Sequence, residues 1–222
     1  MPIDVDAQFI FVHIPRTGGS SIEVMFELRD RQKFWGISTD VLPDRSLQHL
    51  RWRELKPLLP QDFATTAYTF AIVRNPWDRF ASEFFWRKRW FERDLAANPA
   101  SVEGFCYNKD HFLSLDAFVD VLSLPLEMRL LEHGSFDGHL ETQLSFLTDE
   151  TGRIAMDDVG RFETYDQDVR RIACRIGRQL DQVVRRQSSP RERDYRIYYS
   201  PYARDAVAAF YKEDIEAFGY TF

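Results

Sequence analysis

"FVHIPRTGGSSIEVMF" (residues 11–26) carries the reading of the fold. An apolar run stops at Pro15, turns through Gly18-Gly19 and passes into apolar residues spaced as on a helix. The run "QFIFVHI" (8–14) suits a strand buried on both faces. In "SSIEVMFEL" (20–28), Ile22, Met25 and Phe26 fall on one side at helical spacing, a side that Arg29 extends. Strand, glycine turn and helix together form a common phosphate-holding arrangement. The nucleoside-triphosphate signature G-x-x-x-x-G-K-[ST] is nevertheless missing from it.

Working outward, "AYTFAIV" (67–73) is a second apolar, β-favouring run. "NPWDRFASEFFWRKRWFERDL" (75–95) follows and predicts a long helix, with Pro76 in its first turn and Phe80, Phe84, Phe91 and Leu95 as its buried stripe. "SLDAFVDVL" (114–122) predicts a helix capped by Ser114. "TDETGRI" (148–154) predicts a turn, and "DVRRIACRIG" (168–177) an amphipathic helix stopped by Gly177. "SPYARDAVAAFYKEDIEAFG" (200–219) predicts one helix from Ser-Pro to Gly219. Strands alternating with helices across short connections predict a three-layer α/β domain with a central, mainly parallel sheet flanked by helices. No composition break marks a boundary, so residues 1–222 are expected to form a single domain.

The composition is that of an ordinary globular protein. A formal net charge of -6 argues against a dedicated nucleic-acid binder, which carries a basic face. The two cysteines, Cys106 and Cys174, form neither a disulfide framework nor a zinc site and suit a reducing compartment. No secretory leader and no run of the ~18 apolar residues a membrane span needs is visible, so the expectation is a cytoplasmic protein without a membrane span. No cluster of metal-ligating residues stands out.

In open α/β sheets, ligands bind outside the carboxyl ends of the strands. Both apolar strands end there in polar motifs, "HIPRTGGSS" (13–21) and "RNPWDRFAS" (74–82). In the first, Gly18 and Gly19 let backbone approach an anion. Thr17, Ser20 and Ser21 bring hydroxyls, and Arg16 brings a permanently charged fork of donors. In the second, Arg74 at the strand end and Ser82 eight residues on can converge on one phosphate.

Taken together, these motifs resemble the sulfotransferase superfamily, which uses 3′-phosphoadenosine 5′-phosphosulfate (PAPS). They are most similar to the carbohydrate branch, with heparan sulfate 2-O-sulfotransferase and bacterial homologues, whose strands end in H-I-P-K-T-G-G-[ST]-S and R-[ND]-P-x-[DE]-R-x-x-S. "QLSFLTDETGRIAMDDVGRFETYDQD" (143–168) resembles that family's Q-x-x-[FY]-L-x-D…G-R-F-E-x-x-x-x-D stretch, and residues 188–222 resemble its closing segment.

The resemblance implies a P-loop-like fold and a soluble transferase that moves the sulfuryl group of PAPS to a hydroxyl acceptor, a glycan or glycolipid, without a metal. It implies that Arg16, Thr17, Gly18, Gly19, Ser20 and Ser21 hold the 5′-phosphosulfate. Arg74 and Ser82 would hold the 3′-phosphate, and Ser189 and Arg191 would approach the nucleotide from a late loop. Arg16 stands where the family has lysine; arginine stabilises charge but does not readily give up a proton, so Arg16 is read as a charge stabiliser.

In-line transfer needs a base for the acceptor hydroxyl. Relatives carry a histidine in the interval before the second motif, often as H-x-x-x-x-E, and His49 with Glu54 occupies it here. His49 is the candidate base; His13 belongs to the first motif, and His111, His133 and His139 lie in the variable middle. "FFWRKRWFER" (84–93) puts Trp86 and Trp90 on one helix face among Arg87 and Arg89. That face is either an acceptor surface or a charged helix with core aromatics. Two other functions fit parts of the sequence. A P-loop kinase or phosphotransferase would need a lysine after the glycines, and a non-catalytic binder of sulfated or phosphorylated ligands would fit the arginine at position 16.

Overall fold

The computed structural model describes residues 3–28, 47–97, 109–124, 138–185 and 191–222. Among these residues, four strands form one sheet in the order β1 (Ile3–Asp4), β2 (Phe9–Val12), β3 (Tyr68–Val73) and β4 (Asp158–Arg161). β1 is antiparallel to β2. β2, β3 and β4 are parallel, with Val12 opposite Ala71 and Val73 opposite Arg161. The helices, in chain order, are α1 (Gly19–Met25), α2 (Trp52–Leu55), α3 (Gln61–Thr66), α4 (Pro76–Ala97), α5 (Leu115–Val119), α6 (Gln143–Leu147), α7 (Tyr165–Arg175), α8 (Pro201–Phe210) and α9 (Lys212–Phe218). The fold is therefore α/β, with a mostly parallel sheet flanked by helices.

The chain divides into two compact units, Met1–Arg74 with Glu141–Gln187, and Asn75–Leu140 with Ser188–Phe222. Each is assembled from two separated stretches, so no single break in composition could mark them.

The first unit holds the sheet. Phe9, Ile10, Phe11 and Val12 are all fully buried, as expected of a parallel strand covered on both faces. On one face Phe9, Phe11, Phe70 and Ile72 pack with Ile22 and Phe26 of α1 and with Tyr165, Val169 and Ile172 of α7. Phe11 stacks on Phe70 at 5.1 Å, and Phe26 meets Phe9 edge-on at 6.0 Å. Each such ring contributes roughly 1.5–3 kcal/mol by leaving water. α1 is shorter than the apolar spacing suggests, because Glu27 adopts a left-handed φ of 55° and ends it. Arg29 lies outside the described residues.

β4 departs from the apolar pattern of β2 and β3. Its sequence, "DVGR", is polar, yet it completes the parallel sheet. Gly160 makes this possible, since a Cβ there would lie 2.6 Å from the Ile72 Cδ1. Asp168 of α7 closes the strand end, accepting from the Arg161 N–H and the Thr164 hydroxyl.

The second unit is helical. Phe80, Phe84 and Phe91 of α4 pack with Phe112, Phe118, Val207 and Tyr211. Leu95 departs from the expected stripe: it is 37% exposed, since this aromatic cluster ends at Phe91. Ser114 caps α5 by accepting from the Ala117 N–H. The helix expected over 200–219 is two, α8 and α9, broken where Tyr211 turns into the core and donates to the Leu140 carbonyl at 2.8 Å. Among the described residues, no helix is long and apolar enough to cross a membrane.

Candidate active site

β2 and β3 are parallel neighbours, so the first motif and Arg74 leave the sheet at the same edge. Arg74 donates from Nη1 to the Arg16 carbonyl at 2.8 Å, which joins the two motifs directly. Its guanidinium lies 3.9 Å over the ring of Phe162, which follows β4 at that edge. A buried glutamine fixes the Arg74 main chain. Gln143 accepts from the Arg74 N–H and donates to the Arg74 carbonyl, both at 2.8 Å.

The turn between β2 and α1 has alternating backbone hand. Arg16 has φ 67° and Gly18 φ 88°, with Thr17 between them on the ordinary side. Such alternation points successive N–H groups into one concavity, an anion nest. Among the described residues, the main-chain N–H groups of Thr17, Gly18, Gly19 and Ser20 donate to no protein acceptor. Donors at the start of a helix have no intrahelical partner and are open to water, side chains or a ligand.

The turn is held from within the protein. Thr17 Oγ1 donates to the Ile14 carbonyl at 2.9 Å, and the buried Tyr165 hydroxyl donates to the Gly18 carbonyl at 2.8 Å. Burial pushes the Tyr165 hydroxyl well above its ordinary range, which keeps it protonated as a donor; a hydrogen bond from Ser21 opposes that shift. Both glycines are also required by packing. A Cβ on Gly18 would lie 2.7 Å from Tyr165 Cε2, and one on Gly19 2.0 Å from His13 Cδ2.

His49 ends a short 3₁₀ turn, Leu47–His49, and donates from Nδ1 to the His13 carbonyl at 2.9 Å. The two rings meet edge-on at 4.5 Å. A carbonyl only accepts, so the neutral His49 ring carries its proton on Nδ1 and its lone pair on Nε2. His13 Nδ1 bonds the buried Glu23 carboxylate at 2.8 Å. Glu54 acts on its own helix: its carboxylate accepts from the Arg51 N–H in a capping box at the start of α2.

Ser82 and the other α4 candidates belong to the second unit. Ser82 is buried in the second turn of α4, and Asp78 one turn earlier pairs with Arg191. Ser189 lies outside the described residues. Trp86 and Trp90 share a face with ring centroids 5.9 Å apart, and Trp86 stacks on His139 at 5.0 Å. Arg87 is buried and donates from Nε to Glu83, whose carboxylate also takes His139 Nδ1 at 3.1 Å. Arg89 is exposed. His111 is partly buried in this unit, and His133 lies outside the described residues.

A family model described as "Sulfotransferase family" matches residues 2–221, nearly the whole chain and both units. The chain belongs to the sulfotransferase family. Neither the comparison with curated proteins nor that with solved structures returns a match. Sulfuryl transfer to an acceptor is therefore the activity class.

The edge of the sheet thus assembles Arg16, Thr17, Gly18, Gly19, Ser20, Ser21, Arg74 and His49 in one unit of this sulfotransferase. Gln143, Tyr165, Phe162 and Glu23 join them and are not singled out from sequence. Gln143, Phe162 and Tyr165 all lie in the family-like stretch 143–168, where Gln143 and Phe162 match specified letters of the pattern and Tyr165 does not; nothing local distinguishes Glu23.

Proposed function

We propose that the chain is a PAPS-dependent sulfotransferase that sulfates a hydroxyl of a carbohydrate, with His49 as the base. The observation that carries the reading is the run of main-chain N–H groups at Thr17–Ser20, directly after Arg16 in the chain, which among the described residues donate to no protein acceptor. That donor set suits a phosphate-like dianion and fits the 5′-phosphosulfate.

In this reading the turn holds the 5′ end of the nucleotide, and Arg16 stabilises the charge that gathers on the departing phosphate. Arg74, Ser82, Ser189 and Arg191 are carried to the 3′-phosphate and nucleotide by family resemblance. His49 takes the acceptor proton on Nε2 while Nδ1–H stays on the His13 carbonyl. The attacking oxygen then forms its bond to sulfur as the bond from sulfur to the phosphate oxygen breaks. The acceptor surface is placed on α4 at Trp86, Arg89 and Trp90, whose apolar faces suit sugar rings. Arg87 would support that face through Glu83. The whole of 1–222 would act as one catalytic domain in the cytoplasm.

Calorimetry with 3′-phosphoadenosine 5′-phosphate (PAP) and with ATP plus Mg²⁺, followed by ³⁵S transfer from labelled PAPS to a glycan panel, tests this. PAP should bind more tightly than ATP, and label should reach a glycan. Tighter ATP binding would favour a phosphotransferase. PAP binding with no transfer to any glycan would favour a non-catalytic binder or a different acceptor class.

A further inference from the structure

Glu23 of α1 is fully buried, and a buried carboxylate must be paired to stay charged. Its Oε1 accepts from His13 Nδ1 at 2.8 Å and from Gln48 Nε2 at 2.5 Å. Each partner leads to a different part of the site. The His13 ring fills the space where a Cβ on Gly19 would stand, with Nε2 at 2.1 Å from that position. The same residue presents its carbonyl to His49 Nδ1 and its ring to the His49 ring. Gln48 is the immediate neighbour of His49 in the same 3₁₀ turn.

We propose that Glu23 is a positioning residue, one buried carboxylate that sets the glycine turn and the turn carrying His49 in a common register. The inference rests on the reading of His49 as the base. A carboxylate can only accept, so Glu23 holds the Nδ1 proton of His13 and the orientation of the Gln48 amide together. With His13 so held, its carbonyl faces His49 and its ring packs under Gly19. Glu23 thus acts on the reaction through His13 and Gln48, not on the acceptor itself.

The test uses the full chain labelled with ¹⁵N-histidine, as wild type, Glu23→Gln and Gln48→Ala. Long-range proton–nitrogen correlation reads the tautomer of His49 in the free protein, where no acceptor or nucleotide is needed. Wild type should show the His49 ring protonated at Nδ1. Both variants should move the two His49 nitrogens toward averaged tautomers. In transfer assays kcat should fall at least about tenfold, with nucleotide KM changing less than about threefold. A purely structural role would lower the melting temperature and leave the His49 signals alone. Gln48 is only half-buried, so Gln48→Ala decides the matter should Glu23→Gln fail to fold. Unchanged His49 signals beside an inactive His49→Ala overturn the role of Glu23 and leave the base reading standing. Full transfer by His49→Ala instead overturns the base reading, and with it the role of Glu23.

Discussion

His49 donates its Nδ1 proton to the main-chain carbonyl of His13 at 2.9 Å, so the backbone of the first motif orients the ring proposed as the base. The strand that delivers the glycine turn therefore also selects the histidine tautomer. His49→Ala should lower turnover by about 10²–10⁴-fold, the range for loss of a general base, while PAP affinity stays near wild type. Single-turnover ³⁵S transfer alongside PAP calorimetry checks both halves. Wild-type turnover would rule His49 out as the base.

Gly19→Ala places a methyl group 2.0 Å from the ring of His13. That ring cannot simply withdraw, because its Nδ1 is held by Glu23. Overpacking of this kind costs about 1–3 kcal/mol. Urea denaturation should show a lower midpoint with an unchanged slope, and PAP binding should weaken as the turn shifts. Wild-type stability would mean that His13 moves aside freely.

Gln143→Ala removes both side-chain hydrogen bonds to the Arg74 main chain. Buried polar groups that lose a partner cost about 1–3 kcal/mol each, so a loss of about 2–6 kcal/mol is expected. Nucleotide affinity should fall with it, because the main chain bearing Arg74 is no longer fixed.

Asp168 provides a test of acid stability. Burial pushes its carboxyl up, but hydrogen bonds from Thr164, the Arg161 N–H and Arg171 outweigh burial and hold it below the usual carboxylate range. A depressed carboxylate stabilises the fold above its unfolded pKa of about 3.9, and the contribution is lost as pH falls through the folded value. Asp168→Ala should therefore be less stable than wild type at pH 7, with the gap closing below about pH 4. Denaturation midpoints across that range read it directly; a gap that widens in acid would contradict the assignment.

β2 and β3 are legible in the sequence because a parallel strand buried on both faces is apolar, and "FIFV" (9–12) and "FAIV" (70–73) are. Pro76, Ser114, Gly177 and Gly219 mark helix ends for equally local reasons. β4 is hidden because its place depends on Gly160 passing close to Ile72, a contact between residues far apart in sequence. The same holds at the candidate site. The anion nest is spelled out by consecutive residues, whereas Tyr165 on Gly18 and Gln143 on Arg74 are long-range pairs with no local signature. Arg87 is the opposite case: it reads as a surface cation among tryptophans, but Glu83 one turn earlier draws it into the interior.

The turn at Arg16–Gly19 is braced from within the protein by Thr17, Tyr165 and His13. An arriving anion meets donors already in place, so little chain ordering has to be spent at the moment of capture. Nucleotide association should then follow a single exponential whose rate rises linearly with concentration, without a slow conformational phase after encounter.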